Sequence, residues 1–388
     1  MPPLSRLVLP LLLFASSLTV MAGATIAPSL PGLRDHFIDV PNADLLVRLA
    51  LTIPGLAIAI SAPVAGNIAD RFGRRPVLLF GVVLYCLSGA SGLVLDSLPA
   101  ILVGRVLLGF AVGMVMTAAS ALIADLYAGP ERERVIGLQA AFMGLGGVVF
   151  LIGGGVLAEQ GWRGPFAIYL LPLLALPLMA SQIKEPATAA PRAGDAVDFP
   201  VRTAALIYVF AFLGMIAFYI IPVQLPFLLR SIDAPSPTLA GIGIATTSLS
   251  SALTSLFLLK PMRAQLSIQM TLVVSFLAMA AGYGIVWSAT TPAVVLAGLA
   301  LAGIGLGLQM PALVGWLQSE VPPQARGRAS GYYTMAMFFG QFVSPFVHAP
   351  AARMVGYSGS YLVAAGLALV LAVAMLAVWK RRTRAAAM

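Results

Sequence analysis

The stretch Gly66-Asn67-Ile68-Ala69-Asp70-Arg71-Phe72-Gly73-Arg74-Arg75-Pro76 decides the fold. It sets one acid and three arginines between two long apolar runs. Leu45 to Ala65 carries only Arg48 as a charge, and Pro76 to Leu95 carries none. Backbone groups in hydrocarbon have to satisfy one another, so two membrane helices joined by so short a charged segment form a tight hairpin. Gly66 and Gly73 remove side chains where backbones come close, and Pro76 has the φ suited to the first turn of the next helix.

The rest of the chain repeats this alternation. Of 388 residues, 60% are hydrophobic and 10% charged, with a mean hydropathy of +0.97. Soluble domains carry about 25% charge, so this is the composition of a polytopic membrane protein. The net charge of +9 could suggest nucleic acid, but the position of the charges argues against that partner. Of 23 Lys and Arg, 17 fall in alternate loops and at the two chain ends. These include Arg71, Arg74, Arg75, Arg132, Arg134, Arg326 and Arg328, and the run Lys380-Arg381-Arg382-Thr383-Arg384. This is the positive-inside asymmetry, and it predicts both termini in the cytoplasm. The predominance of Arg over Lys and the lack of a glycosylation sequon at Asn42 or Asn67 fit a bacterial inner membrane.

Several chemistries find no support. Cys86 is the single cysteine, and His36 and His348 lie far apart without motif spacing, so neither a disulfide nor a metal site is expected. No nucleotide-phosphate loop, nucleophile–base set or cofactor motif occurs, which leaves neither an ATP-driven pump nor an enzyme as the expectation. The apolar run after Arg6 is too long for the 7–15-residue core of a signal peptide and reads as a retained first span.

Twelve spans are predicted, near 7–28, 46–66, 76–95, 99–124, 136–158, 165–183, 203–229, 237–259, 266–287, 292–317, 329–348 and 359–379. The Pro-rich, aperiodic stretch 184–202 reads as a linker that divides them six and six. The expected domains are therefore a bundle over 1–183, a cytoplasmic linker over 184–202, and a second bundle over 203–388 with a basic tail. Arg132-x-Arg134-x-x-Gly137 and Arg326-x-Arg328-x-x-Gly331 repeat at an offset of 194, half the chain, each downstream of an acid, Asp125 or Glu320. That spacing indicates a duplicated six-helix unit. The copy of the opening loop, Lys260-Pro261-Met262-Arg263, keeps its charge but lacks the Asp and the glycines.

Gly66-x-x-x-Asp70-Arg71-x-Gly73-Arg74-Arg75, after a second span, resembles the signature loop of the major facilitator superfamily. The resemblance covers nearly the whole chain. It implies an all-α fold of twelve transmembrane helices in two pseudo-symmetric bundles, which expose a midplane solute site to one side at a time. It makes Gly66, Asp70, Arg71, Gly73, Arg74 and Asp125 a cytoplasmic latch. Arg105-x-x-x-Gly109-x-x-x-Gly113 resembles the fourth-helix motif implicated in proton coupling, and an intramembrane cation is a functional candidate in its own right. The end of the fifth span, Gly154-Gly155-Val156-Leu157-Ala158 with Gly161-Trp162-Arg163-Gly164-Pro165-Phe166, resembles that of drug–proton antiporters. The Gly-Pro at the centre of their motif is replaced by Phe150-Leu151, and the acid of their first helix by Ala24.

In the family, helices one, four, seven and ten line the chamber. This nominates Thr19, Met21, Arg105, Met116, Tyr219, Gln224, Gln309 and Met310, with Gln341 and His348 behind them. None of the 14 acids falls at mid-membrane, which together with Arg105 favours neutral or anionic solutes over organic cations. The expected function is secondary active transport of a small organic solute, as proton-coupled efflux by a monomer. The alternatives are an uncoupled permease and a transporter-shaped sensor.

Overall fold

The computed structural model describes residues 6–186 and 201–386. Among these residues no strand occurs, and helices take in nearly all of them. They are α1 (Val8–Ala24), α2 (Leu30–His36), α3 (Ala43–Phe72), α4 (Arg74–Gly89), α5 (Leu98–Leu126), α6 (Gly129–Ala158) and α7 (Pro172–Gln182). There follow α8 (Val201–Ser231), α9 (Pro237–Leu253), α10 (Leu259–Gln265), α11 (Ile268–Trp287), α12 (Pro292–Glu320) and α13 (Arg326–Ala386). Eleven described segments are long and apolar enough to cross a membrane. The last of them, Pro323–Thr383, has 61 residues and holds both final spans expected from sequence. Its helix is broken at Gly356, where φ is 76° and ψ 171°, so it supplies two crossings and the total becomes twelve.

Helix ends differ from the apolar boundaries where polar residues continue a helix. The first span runs past residue 28 to His36, through a 3-10 turn at Ala27–Ser29 and then α2. Pro28 and Pro31 each sit in a first turn, where no N–H is needed. α3 and α4 are separated by Gly73 alone. Of the expected linker, residues 187–200 lie outside the described residues.

Contacts divide the helices into two compact units. The first holds α1 to α7 with Pro237–Gly241, and the second holds α8 and the remaining helices from Ile242 onward. In the first unit α5 packs on α3, α4 and α1, and α6 packs on α1. In the second, α12 packs on α11 and α8, while α13 packs on α8 and α11.

Lipid tails are as apolar as the helices, so close backbone approach and interhelical hydrogen bonds hold such bundles together. Gly109 and Gly113 provide that approach on α5. A Cβ on Gly109 would stand 2.5 Å from the Pro54 carbonyl oxygen of α3, and one on Gly113 2.3 Å from Ser61 Oγ. Gly303 and Gly307, each 194 residues later, do the same for α12. Their Cβ positions would lie 2.5 Å from Thr247 O and 2.3 Å from Ser251 O. A second device is also doubled: Tyr85 donates to Leu18 O at 3.0 Å in the first unit, and Tyr283 donates to Ala217 O at 2.8 Å in the second. The duplication is thus visible in packing as well as in sequence.

Candidate functional site

The signature loop forms a charged knot within the first unit. Gly73 adopts φ +94°, a conformation that only glycine takes without strain, and a Cβ there would be 3.0 Å from the Glu185 carboxylate. That carboxylate accepts from Arg74 N at 2.6 Å and from Arg75 N at 2.7 Å. It thereby satisfies two of the backbone donors that a helix N-terminus leaves open, and it places negative charge at the positive end of α4. Arg75 reaches back to Ala180 O at 2.6 Å. Arg74 forms an ion pair with Asp125 at the end of α5 and stands 3.8 Å from Asp70. The Arg74 and Asp125 side chains are 20% and 17% exposed, whereas Asp70 is 70% exposed.

Four of the six expected latch residues, Asp70, Gly73, Arg74 and Asp125, therefore meet here. Arg71 lies over the Phe72 ring at 5.5 Å. At Gly66 a Cβ would make only an ordinary contact, 3.9 Å from Thr117 Cγ2, so the close approach expected at that glycine does not occur. Glu185 falls in the stretch 184–202 that the sequence marks as a linker. It caps a helix 110 residues earlier, and the signal available in sequence was its place directly after an apolar span.

Arg105 is completely buried, and its partners follow from helix chemistry. Nε donates to Ala50 O at 2.9 Å. Four residues after Ala50 stands Pro54, which has no N–H, so the Ala50 carbonyl has no helical donor. Nη2 donates to Ala22 O at 2.9 Å. Ala22 lies in the last turn of α1, where carbonyls are unpaired and the helix dipole is negative. Tyr169 also donates to Ala22 O, at 3.3 Å, and its ring lies 5.2 Å beneath the guanidinium. Arg105 thus joins α5 to two carbonyls that lack a helical donor, one on α1 and one on α3. Its Nη1 has no protein partner.

The other nominated residues separate. Thr19 donates to Ser16 O of its own helix at 2.8 Å. Met21 is buried and Met116 half-buried. In the second unit Tyr219 is buried, and Gln224 Nε2 donates to His348 O at 2.7 Å. His348 is itself buried, with Nε2 2.8 Å from Ile216 O, so the ring carries its proton on Nε2. Gln309 and Met310 share a recess with Gly214, Met215, Tyr333 and Met337, the last four of which the sequence did not single out. Among the described residues no group of three or more His, Cys, Asp or Glu could hold a metal ion.

The profile of the Major Facilitator Superfamily matches residues 12–233 and 207–387. The tetracycline resistance protein, class C, of Escherichia coli is 28% identical over 333 residues, 79% of this chain and 80% of that protein. The quinolone resistance protein NorB of Staphylococcus aureus is 30% identical over 150 residues, 38% of this chain and 31% of NorB. Among solved structures, the nucleoside transporter NupG superposes with a TM-score of 0.80 at 14% identity, covering 97% of this chain and 100% of that one. A D-xylose–proton symporter gives 0.75 at 16% identity, covering 95% and 96%.

Proposed function

Since the chain belongs to the Major Facilitator Superfamily and is an integral membrane protein working as a secondary active transporter, we propose that it exports an amphipathic organic solute from a bacterial cytoplasm in exchange for protons. The observation that carries this reading is the match to a tetracycline resistance protein over about four fifths of both chains. Both termini face the cytoplasm, as the basic loops require. The protein acts as a monomer of two bundles, 1–183 and 203–388, joined by 184–202. It is not an enzyme.

In this reading Asp70, Arg74 and Asp125 belong to a latch that biases the equilibrium between outward- and inward-facing states, and its loss shifts the population inward. Arg105 anchors the helices of the first bundle while leaving one N–H pair for a proton-linked or solute contact. Tyr219, Gln224, Gln309 and Met310 in the second bundle, with Thr19, Met21 and Met116 in the first, are candidates for the solute chamber.

A second reading, facilitated diffusion without protons, draws on the alanine at position 24, where drug–proton antiporters carry an acid, and on the lack of any mid-membrane acid. Everted vesicles separate the two. Efflux coupled to protons accumulates tetracycline or a quinolone against its gradient when the lumen is acid, and a protonophore abolishes the accumulation. Counterflow that ignores the imposed pH gradient removes coupling. Movement of neither solute removes drug efflux.

A further inference from the structure

Gln309 is the odd amide of the second unit. It is 3% exposed, and its Oε1 has no protein hydrogen-bond donor. Gln224, equally buried, has its amide tied to the His348 backbone. Buried amides that serve packing are normally satisfied. One left open at the wall of a recess has the form of a binding group.

The neighbours define what it could bind. Gly214 on α8 lets the Gln309 amide lie against the helix backbone: a Cβ there would stand 1.9 Å from Nε2. The amide nitrogen therefore lies against α8 at Gly214, and its oxygen is unclaimed. Around it stand Met215, Met310 and Met337 with Tyr333, and no charged residue lines the recess. As it stands the recess is too narrow for a water molecule. Methionines are the side chains most able to yield, because they are unbranched and have three rotatable bonds, and their sulfur makes favourable contacts with ring edges.

We infer that this recess is a solute subsite for the uncharged aromatic part of a molecule that carries an O–H or N–H group, which donates to Gln309 Oε1 while the ring displaces the methionines. The inference rests on the transport reading and deepens it, because it names the chemistry that the second unit recognises. A cationic group has no partner here, and a carboxylate would face the carbonyl oxygen with like polarity.

The test uses the full chain in lipid nanodiscs and two probes, 2-naphthol and 2-methoxynaphthalene, which share a ring system and differ in the donor. Dissociation constants are measured by equilibrium dialysis for wild type and for Gln309→Met. Comparing the naphthol-to-ether ratio between the two proteins cancels partitioning into the lipid. The ratio should favour naphthol in wild type by about 3- to 10-fold more than in the variant, the range for one net hydrogen bond. Gly214→Ala, which displaces the amide without removing it, should lower the ratio as well and serves if Gln309→Met does not fold. Met337→Ala, which widens the recess, should tighten both probes and keep the ratio. The same ratio in wild type and in the amide variants, or no binding of either probe to wild type, overturns the subsite. Vesicle transport is scored separately: drug export with an unchanged ratio rejects the subsite alone, and a changed ratio without export rejects the transport reading alone.

Discussion

Pro54 and Arg105 in the first unit, and Ser248 and Leu299 in the second, stand at the same 194-residue offset and join equivalent helices by opposite means. In the first unit Pro54 frees the Ala50 carbonyl, and a buried arginine takes it up. In the second, Ser248 supplies the N–H that proline lacks, and its Oγ donates to the corresponding carbonyl, Ile244 O, at 3.1 Å. With that acceptor already served, a leucine suffices opposite. The flanking seams, Gly109 and Gly113 against Gly303 and Gly307, are alike in both units. The packing frame is alike in both units, and at this pair of positions the charge stands where the helix bond is broken. Read in this way, Arg105 is first an answer to Pro54, and any part in coupling is added to that role.

The same contrast recurs at the cytoplasmic ends. Asp125 ends α5 and is held by Arg74 of the signature loop. Glu320 ends α12, where the copied loop has lost its motif, and is held by Arg382 of the last helix, with Trp316 donating to it at 3.0 Å and lying beneath the guanidinium. An acid at this helix end is retained in both units, and whichever basic segment lies near supplies the cation.

The largest effect should come from making the first unit resemble the second. Arg105→Leu leaves the Ala50 carbonyl unpaired and that of Ala22 with Tyr169 alone. It should destabilise the protein by about 3–5 kcal/mol, the sum of two buried hydrogen bonds to a charged donor. Thermal unfolding in nanodiscs measures this. The comparison becomes sharper in a Pro54→Ala background, where the restored N–H of residue 54 takes the Ala50 carbonyl. There the cost of Arg105→Leu should fall by about 1 kcal/mol or more. Equal costs in the two backgrounds would break the link between the proline and the arginine.

A middle effect is expected at the helix-end acids. Asp125→Asn removes a pair that is mostly shielded from solvent and should cost about 1–2 kcal/mol, whereas Arg382→Ala, with a side chain 40% exposed, should cost about 0.5 kcal/mol. If the two costs were equal, the two cations would be equivalent structural devices after all. Transport by Asp125→Asn in vesicles should fall several-fold more than transport by Arg382→Ala.

Much of this was legible from residue order. The alternation of apolar runs and basic loops marked the crossings, and the 194-residue repeat marked the duplication. The spacing around Asp70 and Gly73 marked the turn at which Arg74 meets Asp125. What escaped depends on which backbone groups come to face each other. No pattern in α5 tells that its arginine meets a carbonyl freed by Pro54, since that requires α3 and α5 to be docked in register. Glu185 was hidden for a related reason: a lone carboxylate after an apolar span becomes a helix cap only once α7 returns beside the start of α4. The break expected between 348 and 359 narrows to Gly356 alone, because Pro350, Arg353 and their neighbours continue the helix up to it. Met215, Tyr333 and Met337 looked like ordinary core residues until α8, α12 and α13 were brought together around Gln309.

The smallest effect on stability should fall on Asp70, and for that reason its replacement separates folding from function. Its carboxylate is 70% exposed and its nearest arginine nitrogen lies 3.8 Å away, so the pair contributes less than about 0.5 kcal/mol. Asp70→Asn should unfold within a degree or two of wild type. If Asp70 serves only the first unit, transport should also be unchanged. If it biases the exchange between outward- and inward-facing states, turnover in reconstituted vesicles should drop several-fold while the melting temperature holds, because a shift of even 1.4 kcal/mol between two states changes their ratio tenfold. Wild-type turnover by Asp70→Asn would therefore leave the Arg74–Asp125 pair as a local brace and remove the latch from the mechanism.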